Sequence, residues 1–405
     1  MRVVYCDANL TSYTGHFATQ CRALSAEFRA LGFETTVLAN RRIEEAVADE
    51  LKAVGFFSES PYEKTSDDPL CWWLKSFFDV SRILAADFDK AGQLTSEDLV
   101  YYDTATPAPV MALIEWAQKK FSPESCPNIA MNFIEHSDVV AKKSASGQLE
   151  LDVQSYNPFL YRYASLAVDP RYEHCFHWVS TDVSLAEIYS HVLNRPVTCL
   201  PTPYVAATSP RSRAGAREWT VGFLGAQRPS KNFHLVPDVL ERLLSRRADV
   251  RIVIQNSWSA MEEVAVRVRG QAAADPRIEL IGEALDEPAW AQLLDRCDLL
   301  VAAYDRGKYG NAPSGIVFEG LANGIPLVVT GGTAFERSAR EYGFPAVAIG
   351  ELEPASIAGA IEAALSDYEE LARRAQAASG LWGARNGPLR TVQALLEKVR
   401  QARAN

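Results

Sequence analysis

"NAPSGIVFEGLANGIPLVVTGG", residues 311–332, sets a Pro-Ser-Gly step before a short apolar stretch with one carboxylate, then Asn-Gly-Ile-Pro and a β-branched run. Ser314 is placed to cap a helix whose first turn holds Gly315. Asn323-Gly324 can close that helix in the left-handed conformation, and Pro326 forbids its continuation. Leu327-Val328-Val329-Thr330 is short, β-branched and flanked by glycines, so it reads as a buried strand emptying into the Gly331-Gly332 loop. The stretch is loop, helix, strand, loop.

A helix start that carries a glycine exposes unpaired backbone N–H groups and the positive end of the helix dipole, which suits an anion such as a phosphate. Glu319 sits just over one turn inside that end. It cannot share the anion, but it can accept two hydrogen bonds from neighbouring hydroxyls such as a ribose diol. Its other reading is a surface carboxylate that complements the dipole.

Outward from this stretch the second half of the chain alternates: "TVGFLG", the helical "FHLVPDVLERLLSRR", the strand "VRIVIQ", the helical "AMEEVAVRVRGQAA", "IELIG", a short helix and "DLLVAAY". The first half alternates too. "RVVYC" at 2–6, "FATQCRALSAEFRALG" and "ETTVLA" form a βαβ unit, and further strands are predicted at 99–102, 128–134, 177–180 and 197–200. Between the halves, "PTPYVAATSPRSRAGARE" at 201–218 reads as a linker. The expected fold class is α/β: two doubly wound, Rossmann-like domains facing across a cleft, with ligands at the carboxyl ends of the strands.

The 405 residues exceed one typical core. With 48% hydrophobic and 23% charged residues the chain has a globular composition. Its net charge of -10 argues against nucleic acid as a partner. No apolar run reaches the roughly 18 to 20 residues that span a bilayer, and "MRVVYCDANL" lacks a signal peptide's apolar segment, so a cytoplasmic location is expected. Seven scattered cysteines make no disulfide framework. Trp72, Trp73, Phe77 and Phe78 cluster in the irregular region 56–96, which is read as core or lid packing, with an acceptor surface or a peripheral membrane contact as alternatives.

Chemistry concentrates after "TVGFLG", where Gly225 opens "AQRPSKNF". Arg228 and Lys231 then sit on a loop at a strand's carboxyl end, where two cations can hold a diphosphate. "VGFLGAQRPSKNFHLVPDVLERLL" followed by "SGIVFEGLANGIPLVVT" resembles the nucleotide-sugar half of the GT-B glycosyltransferases, especially the large retaining group that includes glycogen synthases and bacterial mannosyltransferases. The resemblance in architecture covers nearly the whole chain, and its specific motifs lie in residues 221–332.

The resemblance implies that Arg228 and Lys231 grip the donor diphosphate, with Gly225, Ser314 and Gly315 beside it and Glu319 on the nucleotide ribose. The family's arginine directly follows the glycine, where this chain has Ala226. The first of the family's paired glutamates is Asn311 here, read either as a sugar contact or as a residue that shapes the turn before Pro313. In the first half Gly15 and His16 match a loop near the donor sugar, and His136 matches a histidine that touches donor sugar or acceptor. The last helix of such proteins crosses back onto the first domain. The domains are therefore expected at 1–205 plus the helix 386–405, on the acceptor side, and at 206–385, binding the nucleotide sugar.

No metal site is expected. "DFD" at 87–89 reads as a surface triplet, and "HCFH" at 174–177 lacks a second ligand pair. The activity implied is transfer of a sugar from a nucleotide-diphosphate sugar to a hydroxyl on a glycan, a lipid-linked intermediate or a protein, without a metal or other cofactor. A nucleotide-sugar epimerase of the same fold and a silent binding subunit are the alternatives. Retention or inversion, the sugar, the acceptor and the oligomeric state stay open.

Overall fold

The computed structural model describes all residues except 14–15, 69–70, 145, 147, 205–217, 257–260, 284 and 405. The chain divides into two compact units, Met1–Pro203 with Asn386–Asn405, and Tyr204–Arg385.

In the first unit the strands are β1 (Arg2–Asp7), β2 (Glu34–Asn40), β3 (Ala53–Phe57), β4 (Leu99–Tyr102), β5 (Asn128–Asn132), β6 (Val139–Lys143), β7 (Leu149–Val153), β8 (Phe176–Ser180) and β9 (Thr198–Cys199). Its helices are α1 (Phe17–Ala30), α2 (Glu45–Leu51), α3 (Trp72–Phe88), α4 (Pro107–Lys120), α5 (Asn157–Leu166) and α6 (Val183–Leu193). A parallel seven-stranded sheet runs β3-β2-β1-β4-β5-β8-β9, and β6-β7 is a separate antiparallel hairpin.

The second unit holds β10 (Trp219–Phe223), β11 (Val250–Gln255), β12 (Ile278–Ile281), β13 (Leu299–Ala302), β14 (Leu327–Thr330) and β15 (Ala346–Ile349). They form a parallel sheet in the order β12-β11-β10-β13-β14-β15. The helices are α7 (Val236–Arg246), α8 (Glu262–Ala274), α9 (Glu287–Arg296), α10 (Arg306–Tyr309), α11 (Gly315–Asn323), α12 (Ala334–Glu341), α13 (Pro354–Ser366) and α14 (Tyr368–Arg385), and α15 (Pro388–Ala404) follows. In each sheet the first strand is central and the order reverses beside it, between β1 and β4 and between β10 and β13. Ligand crevices form outside the carboxyl ends at such reversals.

Apolar side chains cover both faces of each sheet, as parallel sheets require. The stripe Val392, Leu395, Leu396 and Val399 of α15 is buried in the first unit's core with Cys21 and Leu24 of α1. A helix of this length gains most of its stability from such packing. The break in "GLWGARNG" falls at Asn386-Gly387, at the boundary of the two units, and α14 runs up to it through Arg385. Leu371, Ala375, Ala378 and Trp382 recur at helical spacing on its buried face, and that burial outweighs the roughly 1 kcal/mol cost of each glycine.

The aromatic segment is divided rather than wholly packed. Phe77 is buried in the core, Trp73 stacks on Tyr156 at 4.0 Å, and Trp72 and Phe78 are exposed. "DFD" is not a surface triplet, since Asp87 is 1% exposed. It accepts from the Ser58 N–H (2.7 Å), the Ser58 hydroxyl (3.0 Å) and Lys90 (2.8 Å), and so ties the loop after β3 to α3. Among the described residues there is no group of three or more His, Cys, Asp or Glu that could hold a metal ion, and no helix long and apolar enough to cross a membrane.

Candidate functional site

At the second unit's strand reversal, β10 ends in a loop braced from inside. The Gln227 amide donates to the carbonyls of Phe223 (3.2 Å), Gly225 (3.0 Å) and Gln255 (3.0 Å), and Gln255 Oε1 accepts the Gly225 N–H (2.9 Å). The loop is also tied to the end of β13, through Asn232 Nδ2 to the Ala303 carbonyl (2.9 Å) and the Asp305 N–H to the Ser230 carbonyl (2.9 Å). Arg228, the exposed residue before the 3-10 turn Pro229–Lys231, faces solvent.

The Lys231 amine lies 5.1 Å from the centre of the Tyr304 ring. Burial, reinforced by the like charge of Arg228, pushes it down to about 7. A Cβ on Gly225 would stand 3.0 Å from that amine and 3.3 Å from the Ile316 side chain, so lysine, glycine and the first turn of α11 converge. With φ at +84° and that crowding, Gly225 has two reasons to be glycine. Gly225→Ala is expected to cost about 1 kcal/mol from the backbone alone and to displace the amine. Thermal denaturation together with nucleotide binding checks this: a lowered Tm with undiminished binding would contradict the displacement.

The helix start is built as its sequence suggests. Ser314 Oγ accepts the Val317 N–H at 3.5 Å, and Gly324 closes α11 at φ +64°. Gly315 is exposed, and the Tyr204 hydroxyl lies 2.8 Å from where its Cβ would be. Asn311 is half-buried on the loop between α10 and α11. Glu319 is not a freely solvated carboxylate: the Trp290 indole N–H donates to Oε1 (3.3 Å), and Asn323 Nδ2 donates to Oε2 (3.4 Å) and to the Glu319 carbonyl (2.8 Å). Burial pushes its carboxyl up to about 7, and Glu287 adds to the shift.

At the first unit's reversal, Asp7 and Asp103 end β1 and follow β4, both fully buried. Asp7 accepts the Asn9 N–H (2.8 Å) and the Thr104 hydroxyl (2.9 Å). Asp103 accepts the Tyr101 hydroxyl (3.0 Å) and Asn132 Nδ2 (3.1 Å). Burial, then the charge of Asp103, pushes Asp7 up to about 8. A carboxyl raised on folding binds its proton more tightly in the native state, so its contribution to stability is whole below about 4 and is lost as pH rises to about 8. Asp7→Asn, whose amide can accept from Asn9 and donate to Thr104, is expected to flatten that decline. Denaturation midpoints measured from pH 5 to 9 check it.

Gly15 lies outside the described residues. His16 is half-buried at the start of α1, and its Nε2 is buried with no hydrogen-bond partner among the described residues. His136 follows β5, and its Nδ1 accepts the Asp138 N–H at 3.0 Å. Its Nε2 is also buried, with no hydrogen-bond partner among the described residues. Asp138, beside Nδ1 at 3.3 Å, is held down at about 2 by that contact, with Ser155 and Asn157 each donating at 2.7 Å.

The structure thus gathers Gly225, Lys231, Ser314 and Gly315, and sets Glu319 one turn further along the same helix. No protein-family model matches the chain, and no curated protein matches its sequence. Solved structures do. Sucrose-phosphate synthase from Thermosynechococcus elongatus is similar over 100% of both chains at 12% identity, with a TM-score of 0.67. Anabaena HepE in complex with UDP-glucose is similar over 99% of this chain and 100% of its own, at 14% identity and a TM-score of 0.62. The fold is GT-B. A structure described as a UDP-N-acetylglucosamine 2-epimerase from Listeria monocytogenes is also similar, over 100% of this chain and 96% of its own, at 14% identity and a TM-score of 0.58.

Within this GT-B chain, sequence reasoning passed over Tyr204, Tyr304, Trp290 and Gln227. Tyr304 carried a usable signal, since it closes "DLLVAAY" at the carboxyl end of the strand beside the reversal. Trp290 carried none, because its partner is 29 residues away.

Proposed function

We propose that the chain is a glycosyltransferase that moves a sugar from a nucleotide-diphosphate sugar to a hydroxyl acceptor. The carrying observation is half-buried Lys231, whose amine lies beside Gly225, Tyr304 and the start of α11, with another cation, Arg228, as the charged group that acts on it. A desolvated ammonium next to unpaired helix N–H groups is preorganised for a diphosphate and for the charge that develops as it departs. Arg228 adds a second cation at the solvent edge. Glu319 takes the two ribose hydroxyls, and Asn311, neutral with both donor and acceptor, reads a sugar hydroxyl or its phosphate without repelling either.

His136 Nε2 and His16 belong to the first unit, which this reading assigns to the acceptor side. The acceptor hydroxyl attacks the anomeric carbon, the sugar–phosphate bond breaks, and the departing diphosphate takes the hydroxyl proton. In the retaining course the attack comes from the leaving-group face. Lys231, Arg228 and the helix start neutralise the diphosphate, so chelation is expected to leave turnover within about twofold, whereas metal-reversible loss would overturn that part of the reading.

The epimerase reading draws on the similarity to the Listeria structure. Incubation with a panel of nucleotide sugars, with and without glycan, lipid-linked and peptide acceptors, separates the readings. Acceptor-dependent release of nucleotide diphosphate supports transfer. Isomerisation without acceptor supports epimerisation. Binding without either product makes the chain a silent subunit.

A further inference from the structure

We infer that Trp290 and Asn323 are positioning residues that hold the Glu319 carboxylate for a ribose diol, so that the site selects ribonucleotides over 2′-deoxyribonucleotides. The inference rests on the donor-site reading above and adds to it the residues that orient Glu319.

A carboxylate has about four lone-pair positions, two on each oxygen. Here one position on Oε1 is taken by the Trp290 indole N–H at 3.3 Å, and one on Oε2 by Asn323 Nδ2 at 3.4 Å. One position remains on each oxygen, a number that matches two vicinal hydroxyls and is half wasted on a single one. The two donors come from different directions. Asn323 is four residues along α11, anchored by its 2.8 Å bond to the Glu319 carbonyl, and Trp290 reaches across from α9, whose start is capped by Asp286 accepting the Ala289 N–H at 2.9 Å. Crossed donors fix the plane of the carboxylate as well as its position.

The electrostatics makes the brace consequential. Burial raises Glu319, and Glu287, on the same helix as Trp290, raises it further, whereas the indole and the Asn323 amide lower it. These are the groups that act on it from its own helix and from α9. Without the indole the carboxyl holds its proton to higher pH, and a neutral carboxyl can no longer accept from both hydroxyls.

Trp290→Phe keeps an aromatic ring and removes the N–H. Binding of UDP to the full chain is expected to weaken about tenfold near pH 7, the worth of one hydrogen bond to a charged group. The preference for UDP over 2′-deoxy-UDP should narrow, and the pH below which UDP binding weakens should move upward relative to wild type. In a Glu319→Gln background the same change should cost nothing further. Unchanged ribose preference and pH profile in folded Trp290→Phe would overturn the inference, as would an undiminished further loss in the Gln background.

Should that variant not fold, the wild-type protein reports directly. Of its eight tryptophan indole N–H signals, one should titrate with a midpoint near 7 and stop titrating in Glu319→Gln. No such signal would overturn the brace. If wild type binds none of UDP, GDP and ADP, the donor-site reading fails, while the indole titration still decides whether the brace exists.

Discussion

Lys231→Met is expected to lower turnover about 100- to 1,000-fold, the loss typical of removing one preorganised donor from a developing oxyanion. The fold should not suffer. The amine is held at about 7 because the folded chain disfavours its charge, so an apolar side chain of similar length relieves a desolvated cation rather than leaving a gap. The sign is testable on stability alone. Between about 7 and the usual lysine value the unfolded chain binds more protons than the folded one, so wild-type stability gains from this group as pH rises through that interval. Lys231→Met should lack the gain while matching or exceeding the wild-type Tm near pH 7. A steep fall in turnover with Tm preserved locates the lysine in the reaction, whereas falls in both would make it a structural residue.

Much of the second unit could be read from local chemistry. Ser314, Gly315, Asn323-Gly324 and Pro326 mark a helix by rules that operate within a few residues, and the helix lies where they place it. The parallel sheets follow in the same way from apolar strands alternating with amphipathic helices. Legibility ends where the deciding partner is distant in sequence. Asp87 looks like a surface acid until Ser58, 29 residues earlier, is seen to bond it. Glu319 had two readings because nothing near it in sequence shows Trp290. Likewise the composition of "AQRPSKNF" shows two cations but not that Lys231 turns inward onto Tyr304 while Arg228 faces solvent. The difference in their burial sets their chemistry apart: one can change its charge when ligand arrives, and the other stays charged.

Glu319→Ala should weaken nucleotide-sugar binding by about 3 kcal/mol, or roughly a hundredfold, since two hydrogen bonds to a charged acceptor are lost. The accompanying proton count is more telling than the affinity. In the free protein burial holds Lys231 down and Glu319 up, each to about 7, so both can change charge near neutrality. A bound diphosphate draws a proton onto the amine, and a bound diol favours the ionised carboxylate, so the two changes oppose each other. Wild type should therefore bind a nucleotide sugar near pH 7 with less net proton exchange than a variant that lacks either group. At higher pH net uptake should appear, because the amine is by then largely neutral and the carboxylate already ionised; at lower pH net release should appear. Glu319→Ala removes the release and should show net uptake near pH 7, whereas Lys231→Met should show net release. The diphosphate of a nucleotide sugar is a diester with no proton of its own to exchange near neutrality, so calorimetry in buffers of different ionisation enthalpy reads the protein alone. Equal proton counts in wild type and Glu319→Ala would mean that the ligand never meets this carboxylate, and the anion would then be bound by Lys231 and the helix start without a ribose contact beside it.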